Sequence, residues 1–135
     1  MKLSDAIRRA SELSEAINTY WLRESPKRHP RYPLIYPGEE PPPPPPEEAE
    51  LEAFLASLPL EDLHRMIAVS AVGEYTCRPR EFALGVQKAR QEYPDNFTAA
   101  IRLSSTGLLH EMFADGLADL RKAGVEVEAC PLVLA

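Results

Sequence analysis

The chain has 135 residues, of which 44% are hydrophobic and 27% are charged; this composition is typical of a globular protein and argues against wholesale disorder. Its 15 basic and 21 acidic side chains give a net charge of −6, which argues against a nucleic-acid-binding protein because phosphate contacts need a concentrated basic face. No apolar run approaches the about 18 residues of a membrane span, and the N-terminus lacks the apolar core of a signal peptide. We therefore expect one small cytoplasmic domain that has no contact with a membrane.

The first predicted element is an amphipathic helix, whose large apolar residues recur at spacings of three and four. Ser4 is the expected N-cap, and the helix should end near Arg23 because Ser25 precedes a proline and is biased away from helical backbone angles. A helix of this length is marginal alone, so either the rest of the chain or a partner must cover its apolar side, and we expect the rest of the chain. This apolar stripe consists of Leu3, Ile7, Leu13, Ile17 and Trp21.

A proline-rich strap follows, because ten of the 14 prolines lie between Pro26 and Pro46. Proline lacks a backbone N–H, so this stretch cannot join a packed helix or sheet, and residues 41–46 should adopt polyproline II. The strap is either a stiff spacer or a docking motif for an aromatic groove, and we expect the spacer. Four of its residues are too apolar for a solvated linker and should lie against the domain: Tyr32, Leu34, Ile35 and Tyr36.

Five more helices are predicted after the strap, and an extended tail covers residues 125–135. Gly73 is expected at the left-handed position after the second of these helices, Asp95 as the N-cap of the fourth, and Gly124 as the end of the last. The predicted helices span residues 47–58, 60–72, 79–93, 97–103 and 108–123.

Together these elements predict an all-α fold, a small bundle of about five to six helices with a Pro-rich extended strap after the first helix. The chain divides into an N-terminal helix at 1–25, a connector at 26–46, a helical domain at 47–124 and a tail at 125–135.

The helical domain also carries an ordered set of features between about Leu51 and Leu120. A leucine-rich helix ends in a Leu-Pro turn followed by acids, a small-residue helix ends in glycine, and the last helix contains Leu-Leu and Asp-Gly-Leu. In these features the chain resembles the bacterial domain of unknown function numbered 3775, and the resemblance implies a helical fold and no assigned activity. The chain departs from the family at Glu74, where the family has arginine, and at Gly107, where it has proline.

No motif in the sequence indicates catalytic, metal or cofactor chemistry. His110-Glu111 opens like a zinc-protease helix, but the second histidine that the motif requires is replaced by Ala114. His29, His64 and His110 lie in separate segments, and the common phosphate-binding and hydrolase motifs are absent. We therefore expect no metal and no cofactor.

The two cysteines, Cys77 and Cys130, have no metal-type spacing, and we expect both to be reduced thiols. Cys77 lies close to Arg78 and Arg80, and neighbouring cations lower a thiol pKa. A reactive cysteine is therefore one interpretation, and an inert loop thiol is the one we favour.

The sequence thus favours a non-enzymatic helical module for protein interaction or self-association. The alternative is an enzyme or small-ligand-binding protein with a pocket between the helices at 60–72 and 108–123, and a third hypothesis is nucleic-acid contact through residues 23–31. Neutralisation by the acidic stretch at 39–52 is the simpler use of the basic residues there. The candidate interaction residues are the apolar stripe and a basic cluster formed by Lys27, Arg28 and Arg31.

Overall fold

The computed structural model describes residues 1–28 and 43–128, with the backbone alone for residues 25–28. The described residues form α-helices and short turns and contain no strand, which confirms the all-α prediction. The predictions for residues 29–42, including four apolar strap residues, and for Cys130 lie outside the described part of the chain. The helices are α1 (Leu3–Arg28), α2 (Pro46–Ala56), α3 (Leu60–Gly73), α4 (Phe82–Glu92), α5 (Asn96–Ser104) and α6 (Leu109–Lys122), with a short 3-10 helix at Pro79–Glu81.

Helix α3 lies at the centre of the bundle, where it contacts α4, α5 and α6. The breadth of its apolar face predicts a helix surrounded by others, and every residue from Leu63 to Ser70 is buried. Helix α1 packs across α2 and α6 on one side of this arrangement. The core therefore draws on all six helices described, and α3 joins α4, α5 and α6 within it.

The backbones of α3 and α6 touch at two glycines. A Cβ atom added to Gly73 would lie 2.0 Å from the carbonyl oxygen of Met112, and one added to Gly116 would lie 2.1 Å from that of Val69. No side chain can be placed between the two helices at either point. The two backbones therefore leave no room for a ligand between α3 and α6 at these two points.

Gly73 ends α3 differently from the prediction, since it lies inside the helix at this close contact. The left-handed residue is Tyr75, with φ of 64°. Its N–H donates to the carbonyl of Val72 at 3.1 Å, and the N–H of Thr76 donates to that of Ala71 at 2.9 Å, which is the Schellman pattern. Gly73 lies at the contact with α6, and the residue in the strained left-handed position after α3 is Tyr75.

The start of α1 also differs from the prediction. Ser4 lies within the first turn, and its backbone N–H donates to the carboxylate of Glu128 at 2.9 Å. A carboxylate at a helix N-terminus satisfies a free donor and complements the helix dipole. The cap of α1 is thus supplied from the far end of the chain, and Ser4 is not the N-cap.

Helix α1 continues past Pro26 to Arg28, beyond the predicted end near Arg23. The restriction on a residue before proline is a bias rather than a prohibition, and a proline this close to the end removes only one helical hydrogen bond.

Two other boundary signals are confirmed. Asp95 caps α5 by accepting the N–H of Thr98 at 2.8 Å, and Gly124 ends α6 with φ of 74°.

The last described residues lie along the bundle and are held by Arg65 on α3. This arginine is 9% exposed and donates from Nη1 to the carbonyl of Val127 at 2.6 Å. Val125 and Val127 pack against the core. The buried guanidinium of Arg65 therefore holds the tail against α3. The same tail places Glu128 at the start of α1.

The glycine contact makes a stability prediction. Gly116→Ala should destabilise the protein by about 1–3 kcal/mol, because the new methyl group forces apart two backbones that cannot yield as side chains do. The free energy of unfolding from urea titration measures the effect. The matched control is Gly107→Ala, since no atom lies within 4 Å of a Cβ at that position. Equal stability of the two variants would contradict the packing role of Gly116.

A second prediction concerns Phe113, which is 1% exposed. Phe113→Ala should lower the free energy of unfolding by about 3–5 kcal/mol through lost burial and the cavity left behind. Phe97→Ala is the control, because this phenylalanine is 72% exposed and should lose less than about 1 kcal/mol. A denaturant titration of both variants tests the difference, and a loss below about 1 kcal/mol for Phe113 would place it outside the core.

A third prediction concerns pH. Burial, followed by Glu61, raises the pKa of Asp62 above its ordinary value of 3.8, with Arg65 opposing. The folded state then holds this proton at pH values where the unfolded state has lost it, so this group makes stability fall as the pH rises through the window above 3.8. Asp62→Asn should abolish that fall and be more stable than the parent at neutral pH. Urea titrations at pH 3.5 and pH 7 measure the free energies of unfolding of the parent and the variant. A difference between the two proteins that is the same at both pH values would contradict the prediction.

Candidate functional site

The first half of the apolar stripe is in the core. Leu3, Ile7 and Leu13 are 5%, 4% and 3% exposed, and α1 packs on α2 and α6. The rest of the chain therefore covers these three residues, as expected from the sequence. An interaction role for the stripe is restricted to its second half.

The second half of the stripe borders an open cleft of about 440 Å³, which we call the Trp21 cleft. Ile17 and Trp21 are only partly buried and form its wall on α1. Helix α2 forms the opposite wall, and the loop between α5 and α6 closes one end. The lining consists of Ser14, Ile17, Asn18 and Trp21 on α1, Glu48, Leu51 and Glu52 on α2, and residues 104–108.

A hydrogen-bonded pair that includes the cleft residue Ser14 joins α1 to α6. The Ser14 hydroxyl accepts the backbone N–H of His110 at 3.2 Å and lies 2.9 Å from its Nδ1. The pair caps the first turn of α6. The sequence alone does not indicate this Ser14–His110 pair, because the two residues are 96 positions apart and neither belongs to a complete motif.

An aromatic pair lies beside the cleft. The rings of Tyr20 and Trp21 are nearly perpendicular, at 83°, with their centroids 5.2 Å apart. The Tyr20 hydroxyl donates to the carbonyl of Pro43 at 2.7 Å. Pro45 is buried and has the polyproline II angles φ −71° and ψ 153°. The Pro43 carbonyl thus lies against α1, and Pro45 has polyproline II angles. Pro46 differs from the prediction, because it is the first residue of α2, where the missing N–H of proline costs no helical hydrogen bond.

The rim of the cleft is acidic. Glu48 and Glu52 lie one turn apart on α2, and no lysine or arginine is found among the described lining residues. The nearby cation Arg9 is paired instead with Glu12 at 3.4 Å and with Glu50 at 3.7 Å. The cleft therefore favours a positively charged ligand over an anionic one.

Leu108 borders the same cleft under backbone strain. It adopts the left-handed conformation, with φ of 53°, and is 43% exposed. A non-glycine residue in this conformation costs about 1–2 kcal/mol. Its carbonyl accepts the backbone N–H groups of Glu111 and Met112 at 2.9 and 3.1 Å, so this conformation begins α6 while the apolar side chain stays partly exposed at the cleft.

A second groove, of about 410 Å³, runs between α3 and α4 and contains Cys77. Burial, followed by Glu81, raises the pKa of this thiol, and Lys88 only partly opposes them. The effect is opposite to the lowering that Arg78 and Arg80 suggest in the sequence, and it disfavours a thiolate nucleophile. The charges of the groove pair with each other, Glu74 with Arg102 at 3.4 Å and Lys88 with Glu92 at 3.8 Å.

The two described histidines serve packing. His110 is bonded to Ser14, and His64 is buried, with Nε2 2.6 Å from the carbonyl of Tyr93. Among residues 1–24 and 43–128, no group of three or more His, Cys, Asp and Glu side chains could hold a metal ion. In the same residues, no helix has the length and hydrophobicity to cross a membrane.

The basic cluster cannot be placed at a site. The backbones of Lys27 and Arg28 belong to the last turn of α1, and their side chains and all of Arg31 lie outside the described residues.

No protein-family model, curated protein or solved structure matches this chain. The resemblance to the domain of unknown function numbered 3775 stays a prediction. Glu74, at the position where that family has arginine, forms the ion pair with Arg102 described above.

Proposed function

We propose that this protein is a non-enzymatic interaction module that binds an extended segment of a partner protein in the Trp21 cleft. The observation that carries the proposal is the incomplete cover of the apolar stripe. Its first half is buried, whereas Ile17 and Trp21 border an open cleft together with the strained, exposed Leu108. Large partly exposed aromatic and aliphatic groups around one cleft are typical of interaction sites.

The lining of the cleft favours a polypeptide over the substrate of an enzyme. Apolar walls alternate with short polar side chains such as Asn18 and Ser105, which can pair with the amides of an extended chain. The Ser14 hydroxyl that lines the cleft is already bonded to the backbone N–H and the imidazole of His110. General acid–base chemistry needs such groups to be directed at a substrate.

Two sequence-based expectations belong to this proposal. The partner would be met in the cytoplasm, and self-association is the alternative to a different partner protein. Self-association predicts a mass that rises with concentration, whereas an interaction module for another protein should stay monomeric in light scattering.

The test uses a variant with a filled cleft. Asn18→Trp places a large ring in the Trp21 cleft, and Thr19→Trp places the same ring on the neighbouring, exposed face of α1. A random peptide library selected on the parent protein should yield peptides that bind Thr19→Trp normally and Asn18→Trp at least tenfold more weakly.

Thermal melting of both variants confirms that each is folded. Peptides that bind both variants equally would place the binding surface elsewhere, and a selection without enrichment would contradict an interaction role for the cleft.

A further inference from the structure

We infer that the segment bound in the Trp21 cleft is a basic, proline-rich peptide of another protein in the polyproline II conformation. The inference rests on the proposed function and adds the chemical class of the partner. Three observations carry it: the contact that α1 already makes with proline, the continuity of that contact with the cleft, and the charge of the rim.

The first observation is that α1 already makes a hydrogen bond to a proline carbonyl of its own chain. The Tyr20 hydroxyl donates to the Pro43 carbonyl, and two residues later Pro45 has polyproline II angles. A polyproline II helix has no internal hydrogen bonds, so its carbonyls are free to accept from such donors. Aromatic surfaces with a hydrogen-bond donor are the usual receptors for this conformation, because the chain loses little entropy on binding.

The second observation is that this contact leads directly into the cleft. Trp21 packs edge-on against Tyr20 and lines the cleft with its own ring. Ile17 and Leu108 add aliphatic surface at the same cleft, and Asn18 adds an amide that can donate to a carbonyl. A proline segment in the cleft would thus meet an aromatic ring and a hydrogen-bond donor, next to the place where Tyr20 already bonds the Pro43 carbonyl.

The third observation is the charge of the rim. Glu48 and Glu52 project from consecutive turns of α2, and the described lining has no basic side chain. Two carboxylates complement arginine or lysine in a ligand and repel an acidic one. The same charges disfavour a nucleic acid or an anionic membrane as the occupant.

The probe is a short synthetic peptide of proline and leucine with an arginine near each end and no tryptophan. Trp21 is the single tryptophan of the chain, so its fluorescence emission reports on the cleft alone. Titration into the full-length protein should shift this emission saturably. A peptide with glutamate for arginine, and one with alanine for proline, should each bind at least tenfold more weakly.

A matched pair of variants tests the rim. Glu48→Gln with Glu52→Gln should weaken binding about three- to tenfold, the scale of two partly exposed ion pairs. Glu47→Gln with Glu50→Gln makes the same charge change on the same helix away from the cleft lining and should weaken binding less than about twofold. Circular dichroism confirms that both variants keep the helical fold.

The failures of the inference and of the proposed function are distinguishable. Should the peptide library yield Asn18-sensitive peptides that lack proline and basic residues, the inference is overturned and the proposed function stands. Should the proline-rich probe leave Trp21 emission unchanged at millimolar concentration, or bind both double variants with equal affinity, the inference is likewise overturned. A selection without Asn18-sensitive peptides overturns both.

Discussion

The contact of α3 with α6 at Gly73 and Gly116 is the constraint on which the rest of the structure depends. Two helix backbones in van der Waals contact leave no freedom in their spacing, so the start of α6 is held at a defined place beside α1. There His110 meets Ser14, and the loop before α6 carries Leu108 into one end of the cleft. The cleft thus depends on a glycine contact in which its own residues take no part.

Helix α1 is attached at intervals by polar contacts from distant parts of the chain. Glu128 holds its first turn, His110 its middle and Pro43 its second half. Between the last two, the side that faces α2 is incompletely filled, and that space is the Trp21 cleft. A helix with a stripe that is buried in its first half and only partly buried in its second half can stabilise the fold and still present a binding surface.

The cleft combines features that are ordinary one at a time. A partly exposed tryptophan, a strained leucine or two neighbouring glutamates would each have a plain structural explanation. These residues lie together at one cleft, next to Tyr20, whose hydroxyl donates to the carbonyl of Pro43. This combination supports the proposed function and the class of partner. The alternative hypothesis of a pocket between α3 and α6 has less support, because the two backbones touch at Gly73 and Gly116.

The sequence by itself determined the features that depend on neighbouring residues. The periodicity of apolar side chains located every helix, Asp95 and Gly124 marked two ends, and the buried half of the stripe could be predicted from its spacing. The tertiary structure decided which residues meet across the chain. It placed Gly73 in a helix contact, gave the cap of α1 to Glu128 and joined Ser14 to His110 over 96 positions. Propensity and periodicity act over one or two turns, whereas a cleft is formed by surfaces whose relative position depends on how the whole core packs.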